Sequence, residues 1–171
     1  MAQNLELKIK LNSTNEIESI LNRNNIPLSE VQYQKDVYYS VKKGLLKLRI
    51  EGNNYSLIKY LRDESGDERW SNYDIIQLTN GDVEKFLSDI FTVETIVKKT
   101  RKLFWLFNTR IHIDQVESLG NFLELETIVE GNSDDAKCRF DKVIEFLNLN
   151  TRNQVRCSYR DLLLKKKNDT H

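Results

Sequence analysis

Charged side chains recur two residues apart on one short segment after another: Glu6, Lys8 and Lys10; Lys47 and Arg49; Lys99 and Arg101; Arg110, His112 and Asp114; Glu124 and Glu126. Apolar residues stand between them, as in Leu7, Ile9, Leu48, Ile111, Ile113 and Leu125. A period of two is the period of a β-strand, so each charged set lies on one face of its strand. For any single strand the ordinary arrangement is a charged face in water over an apolar face on a core. The sets taken together point elsewhere. Exposed strand positions favour Thr, β-branched and aromatic residues, yet Lys, Arg, Glu and Asp fill these, with carboxylates gathered on some strands and bases on others. If the strands close into a barrel, the charged faces turn inward and the apolar faces lie outside, under helices. Such an interior is stable only when its charges pair with one another or with a ligand and ions.

The inventory of that interior suggests its ligand. Lys and Arg converging from separate strands suit a polyanion such as a phosphate chain, because the guanidinium fork grips phosphate oxygens two at a time. The carboxylates would repel that chain unless a cation lies between. Hard carboxylate and phosphate oxygens suit Mg2+ or Mn2+. An ion in that place would polarise phosphorus and neutralise developing charge.

The elements that must position these residues can be read from the same periodicities. Alternation predicts strands over residues 5–11, 31–41, 45–51, 55–62, 70–78, 95–107, 110–116 and 122–129. Lys42-Lys43-Gly44 and Gly52-Asn53-Asn54 read as turns, and Asp63 to Arg69 as a polar loop. Helical spacing follows Ser13 or Thr14 (Ile17, Ile20, Leu21), Asp82 (Val83, Phe86, Leu87, Ile90) and Asp134 or Asp135 (Phe140, Val143, Ile144, Leu147). Ser158 with Asp161 forms a capping box ahead of Leu162, Leu163 and Leu164. Short links between strands make the pairs antiparallel. The expected fold is therefore α+β, an eight-stranded closed antiparallel barrel with helices packed outside.

A chain of 171 residues fits one domain, expected over 1–165, with 166–171 as a disordered tail. Lys plus Arg and Asp plus Glu are each 26, so net charge is zero and gives nucleic-acid binding no support. No apolar run is long enough to span a membrane and the N-terminus does not look like a signal peptide. The two cysteines, Cys138 and Cys157, lack metal-ligand spacing and read as reduced thiols of a cytoplasmic protein.

Asn4-Leu5-Glu6-Leu7-Lys8 resembles the Glu-x-Glu-x-Lys signature of the CYTH family, the triphosphate tunnel enzymes, which includes class IV adenylate cyclases and thiamine triphosphatases. Further segments look like its successive strand motifs: Gln34 to Tyr39, Leu46-Lys47-Leu48-Arg49, Val97 to Arg101, Arg110 to Asp114 and Gly120 to Glu126. Ser158 to Leu163 is similar to the C-terminus of class IV cyclase-like members. The resemblance implies that Glu6, Glu124 and Glu126 hold divalent metal, with Asp114 near them. It implies that Lys8, Lys47, Arg49, Lys99, Arg101 and Arg110 hold the phosphates, and Lys10, on the same face as Lys8, is expected to join them. On the fourth strand Arg62 is preferred to Lys59, which lies three residues away and hence on the opposite face. Lys8, Arg62 and Tyr38 are the expected catalytic residues, Tyr38 being similar to a tyrosine that assists water attack in the triphosphatases. The chain departs from the signature at Asn4, which keeps an oxygen but loses a charge where the family has glutamate. His112 reads as a strand residue hydrogen-bonded to its neighbours, with a role as catalytic base as the alternative.

Three functions follow from the resemblance. A cyclase would convert ATP to cyclic AMP and pyrophosphate by attack at the α-phosphorus. A triphosphatase would hydrolyse inorganic, thiamine or nucleoside triphosphate by attack of water at the terminal phosphorus. A binding protein weakened at Asn4 would hold a triphosphate without turnover. Partners are then ATP or another triphosphate, with no nucleic acid or membrane, and a homodimer by analogy with cyclase-like members.

Overall fold

A computed structural model describes residues 2–63, 69–79 and 81–169 of the chain; for Ala2 and for residues 62, 63, 69 and 70 it describes the backbone alone. The order of elements is β1 (Ala2–Leu11), α1 (Asn15–Arg23), β2 (Glu30–Tyr39), β3 (Leu45–Glu51), β4 (Asn54–Asp63), β5 (Arg69–Leu78), α2 (Val83–Ile90), β6 (Val93–Leu106), β7 (Thr109–Val116), β8 (Gly120–Ile128), α3 (Ser133–Phe146), a single 3-10 turn (Thr151–Asn153) and α4 (Tyr159–Asp169). These match the strands and helices read from the sequence to within a few residues.

The strands form a closed barrel in the order β1-β5-β4-β3-β2-β6-β7-β8, and every pair is antiparallel. Hairpins join β2 to β3, β3 to β4, β4 to β5, β6 to β7 and β7 to β8. Closure depends on β1, which pairs with β8 on one side and β5 on the other, and on β2 with β6. The β6–β7 link is a two-residue turn in which Phe107 and Asn108 both take positive φ (50° and 52°). Such a turn matches the right-handed twist of the flanking strands, and it sets Trp105 directly opposite Arg110. Gly44 (φ 73°) ends the β2–β3 turn where a Cβ would lie 2.6 Å from Leu61 and 2.8 Å from the Tyr60 carbonyl, so no side chain fits.

The apolar faces of the strands point outward, as the alternation requires. Helices α1 and α3 cover β1, β6, β7 and β8: Ile17, Leu21, Val143 and Leu147 pack on Leu7, Ile9, Phe104, Ile111, Ile113, Leu123 and Leu125. Leu125 is fully buried there, and Leu125→Ala would cost about 2–5 kcal/mol for the lost contacts and the cavity left behind. Helix α2 covers another sector through Leu87 against Val37, Tyr39 and Leu48. Helix α3 is capped by Asn132, whose side chain accepts from the Asp134 N–H, rather than by Asp134 or Asp135.

Helix α4 lies across one end of the barrel. The capping box forms as expected, with Ser158 Oγ accepting from the Asp161 N–H (3.1 Å) and Asp161 Oδ2 from the Ser158 N–H (3.2 Å). Lys166 donates to the Ser118 carbonyl in the β7–β8 turn and Lys167 to Thr95 near the start of β6. Tyr159 and Leu163 plug that end against Tyr38, Val97, Val116 and Phe122. Residues 166–169 are thus helical and anchored, not part of a disordered tail. The sulfhydryls of Cys138 and Cys157 are free, and no described helix is long and apolar enough to cross a membrane.

Candidate active site inside the barrel

The inward faces enclose a cavity of about 370 Å³, within the range of small-ligand sites. Among the described residues six basic side chains line it: Lys8 from β1, Lys47 and Arg49 from β3, Lys99 and Arg101 from β6, and Arg110 from β7. Glu6, Glu124 and Glu126 line the same space. The charges are arranged in three groups, each fixed by strand register.

The first group centres on Asp36 of β2, which is completely buried. Its Cα is opposite Arg49 on β3. Arg49 donates to both Asp36 oxygens (2.8 and 2.7 Å), Lys47 to one (2.9 Å) and Lys99 to the same one from β6 (3.3 Å). Burial alone would raise the Asp36 pKa, but Arg49, Lys47 and Lys99 together hold it well below the ordinary carboxylate range. Burial and the neighbouring Arg49 push Lys47 down to about 7, against the pull of Asp36. Burial likewise lowers Lys99, whereas the Asp36 carboxylate overcomes burial to raise Arg49. One carboxylate thus aligns three cations whose other donors face the cavity.

In the second group Asp114 of β7, also completely buried, takes both prongs of Arg101 (2.6 and 2.6 Å) and the Tyr159 hydroxyl (2.8 Å). Burial would lower Arg101, but Asp114 and then Glu124 raise it well above the usual guanidinium value.

The third group is built on Glu124 and Glu126 of β8. Lys8 reaches Glu124 (3.1 Å) and the Cys157 carbonyl (3.0 Å), its ammonium 4.1 Å from the centre of the Tyr159 ring. Arg101 bridges to Glu124 (2.5 Å), and Arg110 to Glu126 (3.1 Å). His112 stands 3.7 Å from Glu126. Burial, with Arg101 nearby, pushes His112 down to about 4, so the imidazole is neutral at pH 7. Burial opposes ionisation of Glu126, but His112, Arg110 and Arg101 bring it down to about 2. Donor atoms of His112, Glu124 and Glu126 lie within 4.8 Å of one another, a set of types and spacing that fits a divalent cation.

Several expected residues are placed differently from the sequence reading. Asp114 does not face the cavity: it is a counter-charge that positions Arg101, because Arg101 and Tyr159 occupy both its oxygens. Lys10 is exposed near the end of β1, with its ammonium 5.9 Å from the Phe122 ring centre, and does not line the cavity. Lys59 pairs with Asp74 on the exposed outer face (3.2 Å). Arg62 pairs in the ladder with Ser71, and its side chain lies outside the described residues. Tyr38 is buried, with its hydroxyl 3.3 Å from that of Tyr60, and both rings are 5.5 Å from the Lys47 ammonium. Asn4 is buried beside Arg110. With its amide oriented by its partners, its oxygen accepts from Arg110 (2.9 Å) and its nitrogen donates to the Gln3 carbonyl (3.1 Å).

Sequence reasoning gave Asp36 and Tyr159 no role. The signal for Asp36 was present: it shares an inward face with Gln34 and Tyr38 on β2 and is the acid in the middle of that strand, whereas Glu30, of the same parity, is exposed at the strand's start. His112 carries no hydrogen bond at Nδ1 among the described residues, contrary to the expectation of a strand histidine bonded to its neighbours.

Residues 2–159 match the CYTH domain. The chain belongs to the CYTH family. Its barrel is therefore the triphosphate tunnel fold, and the family's members are enzymes that act on triphosphates with a divalent metal. A Methanocaldococcus jannaschii protein named "Putative adenylate cyclase" is 22% identical over 92% of this chain and 97% of its own length. Among solved CYTH-like structures, a Pyrococcus horikoshii protein superposes with a TM-score of 0.77 at 23% identity, covering 93% of this chain and 98% of that one. A Hippeastrum protein, described as an adenylyl cyclase candidate with a dominant triphosphatase activity, superposes with a TM-score of 0.66 at 9% identity over 98% of this chain and 96% of its own.

Proposed function

We propose that this CYTH protein is a metal-dependent enzyme of the class IV adenylate cyclase type, converting ATP held in the barrel to cyclic AMP and pyrophosphate. The observation that carries this reading is the convergence of Lys8, Lys47, Arg49, Lys99, Arg101 and Arg110 on one cavity that also holds Glu6, Glu124 and Glu126. A stack of six cations of this kind grips a chain of phosphates better than a single one.

The charge pairs suggest how the chain exchanges partners on binding. Lys8 and Arg110, directly opposite on the neighbouring strands, and Arg101 neutralise Glu124 and Glu126, and phosphate oxygens would draw those cations away. The freed carboxylates of Glu124 and Glu126, with Glu6 beside them, would hold Mg2+ or Mn2+. A divalent ion bound there supplies charge neutralisation at the phosphates and polarises phosphorus. Asp36 and Asp114 remain buried behind the cations and keep Arg49 and Arg101 aimed at the leaving group, so their alignment is set before substrate arrives. Away from the α4 plug, Leu103, Trp105 and Ile75 line the cavity with Gln32 and Gln77. This amphipathic rim suits a nucleoside better than a further phosphate. A ribose 3′-hydroxyl held there would attack the α-phosphorus, with Lys8 and Arg62 as its catalytic contacts, while Tyr38 lies at the plugged end with the terminal phosphate.

One observation favours hydrolysis as the second reading. The buried Tyr38 and Tyr60 hydroxyls face each other near Lys47 at the plugged end, where they could orient water toward a terminal phosphate. The activity described for the Hippeastrum protein is consistent with this. Product identification with ATP and Mn2+ tests both. Cyclic AMP with pyrophosphate is the expected outcome, and ADP with phosphate would replace it by the second reading. Tight triphosphate binding without turnover would mean a binding protein, and absence of both binding and turnover would overturn all three.

A further inference from the structure

We propose that His112 is a nitrogen ligand of the cation in this tunnel, completing a His112–Glu124–Glu126 set that favours Mn2+ over Mg2+. The inference rests on the metal-dependent reading above and adds to it a donor and a selectivity.

His112 is 4% exposed, and its Nδ1 has no hydrogen-bond partner among the described residues. A buried polar atom left without a partner costs about 1–3 kcal/mol, so its persistence at this place calls for a function. The atom is aimed at Glu126, whose nearer oxygen is 3.7 Å away, beyond hydrogen-bond range. Strand register puts the His112 Cα opposite Glu124 on β8, and Glu126 follows two residues on along the same inward face. On its other side His112 is opposite Leu103 of β6, an apolar residue that offers the ring no partner.

The three donors come from two neighbouring strands of a closed barrel, so their backbone separation is fixed. Ligands of one ion with bonds of about 2.1 Å lie roughly 3–4 Å apart, and small rotations of the two glutamates bring the present donors to that spacing. Two carboxylates offset the charge of a divalent ion, and the imidazole adds a donor without adding charge. Mg2+ prefers an all-oxygen shell and retains its waters, whereas nitrogen donors shift preference toward first-row transition ions. A carboxylate-only site would not produce that shift.

Pulsed electron paramagnetic resonance of Mn2+ bound to the full chain tests this without reference to turnover. It would be done with Mn2+ alone and with Mn2+ plus a bis-methylene triphosphonate. The expected spectrum shows modulation from a directly coordinated nitrogen-14, converted to the nitrogen-15 pattern when histidine is labelled. His112→Gln should remove it while the protein still folds. Mn2+ affinity should then fall by at least the roughly 10- to 100-fold typical for loss of an outer-shell partner, and Mg2+ affinity, measured by competition, by less. The chain holds one other histidine, His171, so the variant assigns the signal. If His112→Gln fails to fold, the labelled spectrum of His171→Ala decides, since His112 is then the one histidine of the chain. Phosphorus-31 coupling from the triphosphonate without nitrogen coupling would overturn the assignment of His112 and leave the metal-dependent function standing. No Mn2+ that Glu126→Gln displaces, together with no phosphorus coupling, would overturn both.

Discussion

Asp36→Asn isolates the role of the buried counter-charge. The substitution preserves shape and removes the negative charge that Arg49 meets at 2.8 and 2.7 Å, Lys47 at 2.9 Å and Lys99 at 3.3 Å. Removing one partner of a buried ion pair typically costs about 3–5 kcal/mol, because the remaining charge is left unpaired in a poor solvent. Lys47 moderates that cost. Its pKa is already down at about 7 by burial and by Arg49, and loss of Asp36 removes the main influence holding it up. At pH 9 the folded wild-type protein holds Lys47 neutral while the unfolded chain, near 10.4, keeps it protonated. At pH 6 the folded wild-type protein keeps Lys47 charged against Asp36, and the variant must either bury that charge unpaired or release the proton. The destabilisation is therefore larger at pH 6 than at pH 9.

Urea unfolding followed by circular dichroism at the two pH values gives the numbers directly. A loss of about 3–5 kcal/mol corresponds to roughly 6–20 °C in Tm for a domain of this size. Added tripolyphosphate should recover part of the loss, since a bound polyanion supplies the missing negative charge and binds only the folded state. A change under about 0.5 kcal/mol at both pH values, the range of an inconsequential surface substitution, would refute the view that Asp36 aligns these three cations.

Arg49→Ala and Glu126→Gln should each lower turnover by at least about 100-fold while circular dichroism stays near wild type; Arg49→Ala should also lower the unfolding midpoint, since it leaves Asp36 without its two-pronged partner, and unchanged rates in either would contradict the placement of the site. Triphosphate binding should take up a proton above pH 7. The free protein's Lys47 is half-protonated near 7, the anion favours its charged form, and affinity therefore falls as pH rises from about 7 to 9. Calorimetry in buffers of different ionisation enthalpy reads that proton, and a heat that does not change with the buffer between pH 7 and 9 would show that Lys47 does not meet the ligand.

Much of this architecture is local. The two-residue period of Leu5-Glu6-Leu7-Lys8 or Leu123-Glu124-Leu125-Glu126 settles which residues share a face before any partner strand is chosen, because successive side chains of an extended chain point to opposite sides. Turn chemistry at Gly44 and Gly52 and the capping box at Ser158 depend equally on a few neighbouring residues. Hence strands, helices, the charged inner face and the class of ligand could all be inferred from the residues, with the family signature adding the word triphosphate.

What a charged residue meets on its face depends on other strands, and closure decides it. β1 is far in the chain from both β5 and β8, yet its pairing with both completes the barrel. That closure brings Lys8 to Glu124, and the pairing of β2 with β6 brings Asp36 to Lys99. Asp114 has the same inward parity as His112, yet Tyr159 and Arg101 enclose it and only His112 meets the cavity. Lys10 shares the face of Lys8 but lies too near the strand's end to be enclosed. The chain alone determines side-chain parity because it is a property of one backbone; depth, pairing and proton affinity belong to the assembled barrel, since each is set by charges that arrive from elsewhere in the sequence.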